Sequence, residues 1–468
     1  MNRSASRAAV SEFAFNAVAS GADERAVSFD EESIAKHGLR TLSPHVMDLI
    51  EIIAAVHLAD RLSKRPSAVQ PGNSWSRHIR VHMGVRDPTH WDDPDLEASL
   101  TSILMWLTDD RWEFKFSTRQ ASARRAESVQ FLFEQPPGGD VLALFSGGLD
   151  SVAGVIDDIE ASVRPIALSV GSNGRMRGRQ SAVLQRVCRT VGRSLPGVPV
   201  GLHLRHTPAV EQSQRARGFA FLGLAATAAV SLGLQQIHVY ENGVGALNLP
   251  YTAAQSGAHG THSMHPMTLS RMEEFLRRAL SADLTITNRC QFDTKAEMCR
   301  RLATKHWPAL QASQSCDTAF AARVSGPEAC GQCTSCILRR QSLHGAGLGH
   351  LDTVSGYRLD VLDPSSWFEV RAYPLRAMVA QASQLGRALT TGDPQRSLMA
   401  RFPDLAIWIG SQPAGQRLPP FDKVERLLGA YVQEWSALPS EQVQRALSLT
   451  QPDHPLSPAQ PDGGYGDS

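Results

Sequence analysis

The sequence predicts an α/β protein built on a parallel sheet, and three observations carry that prediction. From Val141 to Leu302, short apolar runs alternate with segments whose apolar residues recur at helical spacing. That is the pattern of strands joined by crossover helices. Pro136-Pro137-Gly138-Gly139 breaks the chain just before the first of those runs. Ser146-Gly147-Gly148-Leu149-Asp150-Ser151 then stands between an apolar run and a helical segment. It occupies a strand–loop–helix junction, at the carboxyl end of a strand where open sheets bind ligands.

In a chain of 468 residues, two or three domains are expected. Residues 1 to 40 carry no assignable pattern. Val46, Leu49, Ile50, Ile53, Val56 and Leu62 form a helical stripe from Leu42 to Leu62. His78–Val85 alternates as a half-buried strand, Asp93–Leu107 reads as a helix, and Arg111–Phe116 and Val129–Phe133 as further strands. These elements give an N-terminal α+β domain over residues 1–137. Its four tryptophans, Trp75, Trp91, Trp106 and Trp112, are expected in its core.

The parallel-sheet domain spans 140–345. Val141–Leu144 is its first strand, and Val152, Val155, Ile156 and Ile159 line the helix that follows. Pro165–Val170, Val198–Leu204, Gln236–Tyr240 and Leu284–Ile286 read as strands; Gln180–Val191, Phe219–Leu232, Met272–Leu280 and Thr294–Leu302 read as helices. Residues 346–450 are mostly helical, with clear stripes at Val370–Leu389 and Val424–Trp435. The stretch 451–468, rich in Pro, Gly, Asp and Ser, is expected to be a disordered tail.

Lys+Arg 47 against Asp+Glu 46 leaves a net charge of +1, so no global footprint for direct nucleic-acid binding exists. Arg175, Arg177, Arg179, Arg186, Arg189 and Arg193 are a local basic run. It reads as a solvated helix flank, with its first members in reach of a ligand at the preceding strand end. No apolar run has transmembrane length, and no signal-type segment follows Met1. Seven cysteines, four of them clustered, point to a reducing cytoplasm.

The loop has a chemistry of its own. Adjacent glycines let the backbone approach a ligand, and the next helix points its first N–H groups at whatever fills the loop. Phosphate or pyrophosphate suits that geometry. Asp150 and the hydroxyls of Ser146 and Ser151 add polar contacts and a contact for Mg²⁺. The spacing and lysine of a Walker loop are absent. The plainer alternative is a Gly-Gly turn capped by Asp150 or Ser151.

Cys316 and the run Cys330-Gly331-Gln332-Cys333-Thr334-Ser335-Cys336 have metal-ligand spacing. A closed set of four thiolates is structural Zn²⁺ by default. An iron–sulfur cluster is the rival, although Ile337-Leu338-Arg339-Arg340 follows where a ferredoxin run continues to a fourth cysteine and proline. Cys188, Cys290 and Cys299 sit in apolar or helical settings and read as inert thiols.

The loop resembles that of the PP-loop ATP pyrophosphatases, which split ATP into AMP and pyrophosphate. Joined to the cysteine segment, it is similar over Val141–Leu343 to the 7-cyano-7-deazaguanine synthase (QueC) family. The resemblance implies an adenine-nucleotide-hydrolase-type parallel sheet, a zinc site, and ATP and Mg²⁺ as partners in catalysis. Ser146, Gly147, Gly148, Asp150 and Ser151 match the pyrophosphate loop, and Cys316, Cys330, Cys333 and Cys336 match the zinc ligands. Lys295, within Thr294-Lys295-Ala296-Glu297, matches a lysine near the phosphates, and Arg217 an arginine before the long apolar helix. Gly171 stands in Val170-Gly171-Ser172, where the family has Tyr-Gly-Gln. The family's acidic, Cys-Arg-containing segment for the deazapurine is replaced by Tyr240-Glu241-Asn242-Gly243-Val244.

The extra N- and C-terminal regions resemble longer QueC-like proteins of bacterial anti-phage systems, of the Qat type or accompanying CBASS operons. The implied activity is adenylation of a 7-carboxy-7-deazaguanine-type carboxylate, then amide formation with ammonia or with an amine of a partner protein from the same operon. Synthesis of the nitrile itself, or nucleotide binding by an idle zinc scaffold, are the alternatives.

Overall fold

The computed structural model describes residues 10–16, 23–24, 30–38, 40–66, 75–128, 136–202, 209–251, 262–302, 305–317, 329–353, 356–363, 373–411, 418–439 and 443. The expected strand at Val129–Phe133 and the tail 451–468 lie outside them. The chain divides into two compact units. Met1–Asn248, His259–Gln291 and Leu302–Gln314 make the first; Leu249–Ala258, Phe292–Arg301 and Ser315–Ser468 make the second.

The first unit opens with β1 (Val10–Phe15), β2 (Asp23–Glu24), α1 (Glu31–Gly38), α2 (Pro44–Leu62), β3 (His78–Val85), α3 (Pro88–Trp91), α4 (Pro94–Thr108) and β4 (Arg111–Thr118). It continues with β5 (Val141–Leu144), α5 (Leu149–Glu160), β6 (Pro165–Gly171), α6 (Gly174–Val191), β7 (Gly197–Gly201) and α7 (Arg217–Leu232). β8 (Gln236–Val239), α8 (Gly243–Leu247), α9 (Pro266–Leu280) and β9 (Thr285–Asn288) follow. After α10 (Lys295–Leu302), which opens in the second unit, α11 (Trp307–Ala312) belongs to the first.

The N-terminal sheet has the order β2-β1-β3-β4 and is parallel at every described pairing. This corrects the α+β expectation to a parallel α/β layer. α1 and α2 lie between β2 and β3, and α3 and α4 between β3 and β4, so each of these crossovers returns the chain to the same end. The alternation in β3 is real, because only one face is apolar. Ile79, Val81 and Met83 are fully buried, while Arg80 bridges Glu12 at 2.9 Å and Glu113 at 2.9 Å on the other face. Of the four tryptophans, Trp91 and Trp112 are buried as expected. Trp75 and Trp106 are only half-buried: the guanidiniums of Arg65 and Arg215 lie over Trp75, and Trp106 packs against the edge of the core and stacks on His262.

The second sheet has the order β7-β6-β5-β8-β9, again all parallel. β5 leads outward through β6 and β7, then the chain crosses back to β8 and β9. The order therefore reverses between β5 and β8, which makes their carboxyl ends the switch point of the sheet. α7 packs on β5, β6 and β8 with one side and on α2 with the other. That explains its composition, since a helix covered all round is apolar all round. Gly223 is needed there, because a Cβ would lie 2.5 Å from Ile53 Cδ1 of α2.

The Asp60 carboxylate of α2 accepts the backbone N–H of Ala216 at the start of α7 (3.1 Å), and α4 packs against α9. One contiguous hydrophobic cluster runs through both sheets and these helices. The expected boundary at Pro136–Gly139 thus falls inside the first unit.

The second unit contains α12 (Thr334–Gly345), α13 (Tyr373–Leu389), α14 (Pro394–Arg401), α15 (Pro403–Ser411) and α16 (Leu418–Trp435). α13 and α16 pack through Leu375, Met378, Leu385, Val424, Leu428 and Tyr431, all buried. No described helix is long and apolar enough to cross a membrane.

Candidate functional site

The Ser146 loop leaves β5 at the switch point. Its root is fixed to β6: the Phe145 N–H donates to Leu168 O at 2.8 Å, and the Ser169 hydroxyl to Phe145 O at 3.1 Å. Gly147 has φ +77, a left-handed conformation that favours glycine, and its carbonyl accepts the Gln314 N–H at 2.9 Å. Gly148 is the N-cap of α5 and offers no side chain to it. The hydroxyls cross-link the loop, with Ser151 Oγ donating to Gly148 O (3.0 Å) and Ser146 Oγ 3.2 Å from Ser151 Oγ. The alternative of a turn capped by Asp150 or Ser151 is therefore not what forms. Both residues sit inside the first turn of α5.

Asp150 is buried, and its Oδ2 accepts the Asn242 side-chain amide at 2.8 Å. Asn242 follows β8 and caps α8, its Oδ1 accepting the Gly245 N–H at 3.0 Å. The lips of the crevice at β5 and β8 are thereby tied together.

Behind them lies a cavity of about 270 Å³. Leu144, Leu168, Val170, Phe221, Val239 and Met264 supply apolar walls, while Ser146, Ser151, Gln180, Arg217 and Glu241 supply polar groups. Arg217 opens α7 and its guanidinium lies over the Phe221 ring, 4.8 Å from the centroid. Gly171 ends β6 where α6 comes close: a Cβ would sit 2.5 Å from Arg177 Cγ. Gly171 is not in the cavity wall; its neighbour Val170 is. The Tyr240 ring, also in the wall, is held from behind, its hydroxyl donating to the buried Asp158 at 2.6 Å. His238 Nδ1 lies 2.7 Å from the same carboxylate oxygen. Burial pushes the Asp158 carboxyl up, but the His238 and Tyr240 hydrogen bonds outweigh it and hold it below the ordinary range. Of the basic run, Arg186 and Arg189 are exposed on α6, as a solvated flank should be, and Arg193 is exposed just beyond its C-cap, Gly192.

Lys295 belongs to the second unit, buried as the first residue of α10. The Thr-x-x-Glu around it is a capping box. Thr294 N–H donates to Glu297 Oε2 at 2.8 Å, and Glu297 N–H to Thr294 Oγ1 at 3.0 Å. A lysine in the first turn opposes the helix dipole, so helix stability alone does not ask for it.

The Thr294 hydroxyl also donates to the buried Glu434 at 2.5 Å. Burial pushes the Glu434 carboxyl up to about 7 from an ordinary 4.5. Between those values the unfolded chain has released a proton that the folded unit retains. Stability of the second unit should thus fall as pH rises through that window, by at most about 3 kcal/mol. Glu434→Gln, which keeps an acceptor for Thr294, should flatten the dependence. Urea melts at pH 5 and pH 8 check it, and an unchanged slope would refute the assignment.

Cys316, Cys330, Cys333 and Cys336 converge, with their sulfurs all within 4.8 Å of one another. They form a cluster able to hold a metal ion. Backbone N–H groups of Cys330, Cys333 and Cys336 donate to Cys316, Cys330 and Cys333 sulfurs at 3.3, 3.3 and 3.4 Å. Such donors suit thiolates. Gly331, at φ +80, lets the run turn; a Cβ there would meet Leu359 O at 2.0 Å. Hydrogen bonding to Cys316 pushes the Cys333 and Cys336 thiols up, so a cation that takes the four sulfurs must displace protons. Cys290 and Cys299 are buried as expected, whereas Cys188 is half-buried.

No protein-family profile matches the sequence, and no curated protein matches it significantly. The sequence alone assigned no role to Gln180 or Asp158, and it presented Tyr240 and Asn242 only as parts of a replaced segment. For Asn242 the signal was present: an Asn shortly after a strand and directly before Gly243-Val244-Gly245 is an N-cap pattern.

Proposed function

We propose that the chain is an ATP-dependent, AMP-forming QueC-like enzyme of the PP-loop type, acting in anti-phage defence. It adenylates a 7-carboxy-7-deazaguanine-type carboxylate and passes the acyl group to ammonia or to an amine of a partner protein. The observation that carries this reading is the position of the Ser146 loop. A glycine at positive φ, a helix start without a side-chain cap and a buried Asp150 stand at the switch point of a parallel sheet, beside an apolar cavity.

In the first step a carboxylate oxygen of the substrate attacks the α-phosphorus of ATP, and the bond to the bridging oxygen of pyrophosphate breaks. Negative charge grows on phosphate oxygens, where the positive end of the α5 dipole and the cation of Arg217 would stabilise it. Asp150 would hold Mg²⁺, which supplies Lewis-acid stabilisation of the phosphates when bound. Lys295 is assigned to the departing pyrophosphate on the resemblance. In the second step an unprotonated amine attacks the acyl carbon, AMP leaves and a proton is released. The chain needs no nucleophile of its own, because the acyl adenylate is already activated.

Zn²⁺ is assigned to the cysteine cluster in a structural role, since four sulfurs leave no open position for a reaction. The test is incubation with ATP and 7-carboxy-7-deazaguanine, with and without ammonia. AMP and pyrophosphate that depend on the carboxylate support the reading; their absence removes the substrate assignment.

A further inference from the structure

Asn242 makes two kinds of contact. Its Oδ1 caps α8 through the Gly245 N–H, and its Nδ2 donates to Asp150 Oδ2 at 2.8 Å and lies 3.2 Å from Glu241 Oε1. The residue is 1 % exposed, so these partners are fixed rather than exchanged with water. Its own backbone N–H is 3.5 Å from the same Asp150 oxygen. The cap needs only an acceptor at this position, and serine or aspartate would serve it as well. A cap therefore does not explain the amide nitrogen. The bond to Asp150 joins the two strand ends between which the sheet order reverses, and it ends on the carboxylate of the loop.

We propose that Asn242 is the positioning residue for Asp150, fixing the plane of its carboxylate toward the cation that accompanies the nucleotide. This rests on the phosphate reading of the Ser146 loop and deepens it. Partners that orient a metal-binding carboxylate cost about 10- to 100-fold in affinity or activity when removed. Asn242 sets which Asp150 oxygen is committed to the protein, and so which direction the carboxylate presents to a divalent cation. Asn242 touches no reacting atom in this assignment and acts only through Asp150.

The test is a double-mutant cycle with Asn242→Ser, which keeps the cap and removes the amide, and Asp150→Asn. Two quantities are read on the full chain. One is AMP release from ATP; the other is Mn²⁺ affinity, by electron paramagnetic resonance, in the presence of a nonhydrolysable ATP analogue. Asn242→Ser alone should weaken both by about tenfold with an unchanged melting temperature. In the Asp150→Asn background the same change should do nothing further, because its only route is gone. Additive losses in the double variant, or a loss that follows a drop in melting temperature, would overturn the proposal and leave Asn242 a structural cap. If Asp150→Asn itself alters neither quantity, the loop reading fails instead, so the two failures are told apart.

Discussion

Stripping the Zn²⁺ that we assign to the four-cysteine cluster should unfold the segment it organises, and the loss should be close to all-or-none. The cysteines organise the loop around Gly331, whereas α12 beyond it is also held by Arg340, which pairs with Asp352 at 3.1 Å and Asp360 at 2.5 Å. The described contacts of the cysteines are mostly to each other, with Tyr357 packed beside them. Structural zinc sites contribute on the order of 10 kcal/mol of apparent binding energy. That is comparable with the whole stability of a domain. We expect one Zn²⁺ per chain, and we expect Cys330→Ser to give insoluble protein or protein cut rapidly within the second unit. Cys330 is the sharpest choice, since its sulfur accepts the Cys333 N–H and lies 4.0 Å from that of Cys336. A metal-free protein that resists protease as well as the loaded one would count against the structural role. Iron with visible charge-transfer absorption would replace the zinc assignment by a cluster.

Deleting residues 1–137 should be nearly as destructive. The sequence presents this stretch as a separable domain, and a truncated chain would then keep its nucleotide chemistry. The shared core says otherwise. α7 is covered by the second sheet on one side and by α2 on the other, and Trp106 of α4 donates to Thr268 of α9 at 2.9 Å. Each large apolar side chain uncovered costs about 2 kcal/mol, so a handful exhausts a domain's stability. The fragment 138–468 is expected in inclusion bodies. A soluble, monomeric fragment that melts cooperatively would show that the two sheets fold independently.

Much of the first unit was legible in advance because its signals are local. β3 and β4 fell where His78–Val85 and Arg111–Phe116 alternate, and Asp93 caps α4 through the Leu96 N–H at 2.9 Å, as its position before Pro94 announces. The parallel pairing of the N-terminal sheet was missed because half-buried strands alternate whether they run parallel or antiparallel. The helices between them were the better guide. α6 starts at Gly174 rather than at Gln180, hidden by polar and glycine residues that carry no apolar stripe in its first turns.

Within the site, the loop and the cysteines announce themselves by spacing within one segment. The bond from Asn242 to Asp150 crosses 92 positions of sequence, so no local pattern contains it. The same holds for the support of Tyr240 by Asp158, 82 positions apart. The Thr294–Glu297 capping box was visible as a Thr-x-x-Glu pattern, yet its tie to Glu434 was not.

The most direct test of the account is the product of ATP turnover in wild-type protein and in Asp150→Ala, both with 7-carboxy-7-deazaguanine and Mg²⁺. Loss of the preorganised carboxylate should raise the barrier by about 3 kcal/mol, a hundredfold or more in rate. The account predicts AMP and pyrophosphate from the wild type, and at least a hundredfold less AMP from a variant whose melting temperature and metal content are unchanged. Near-normal AMP release from Asp150→Ala, or ADP and phosphate as the wild-type products, would contradict it.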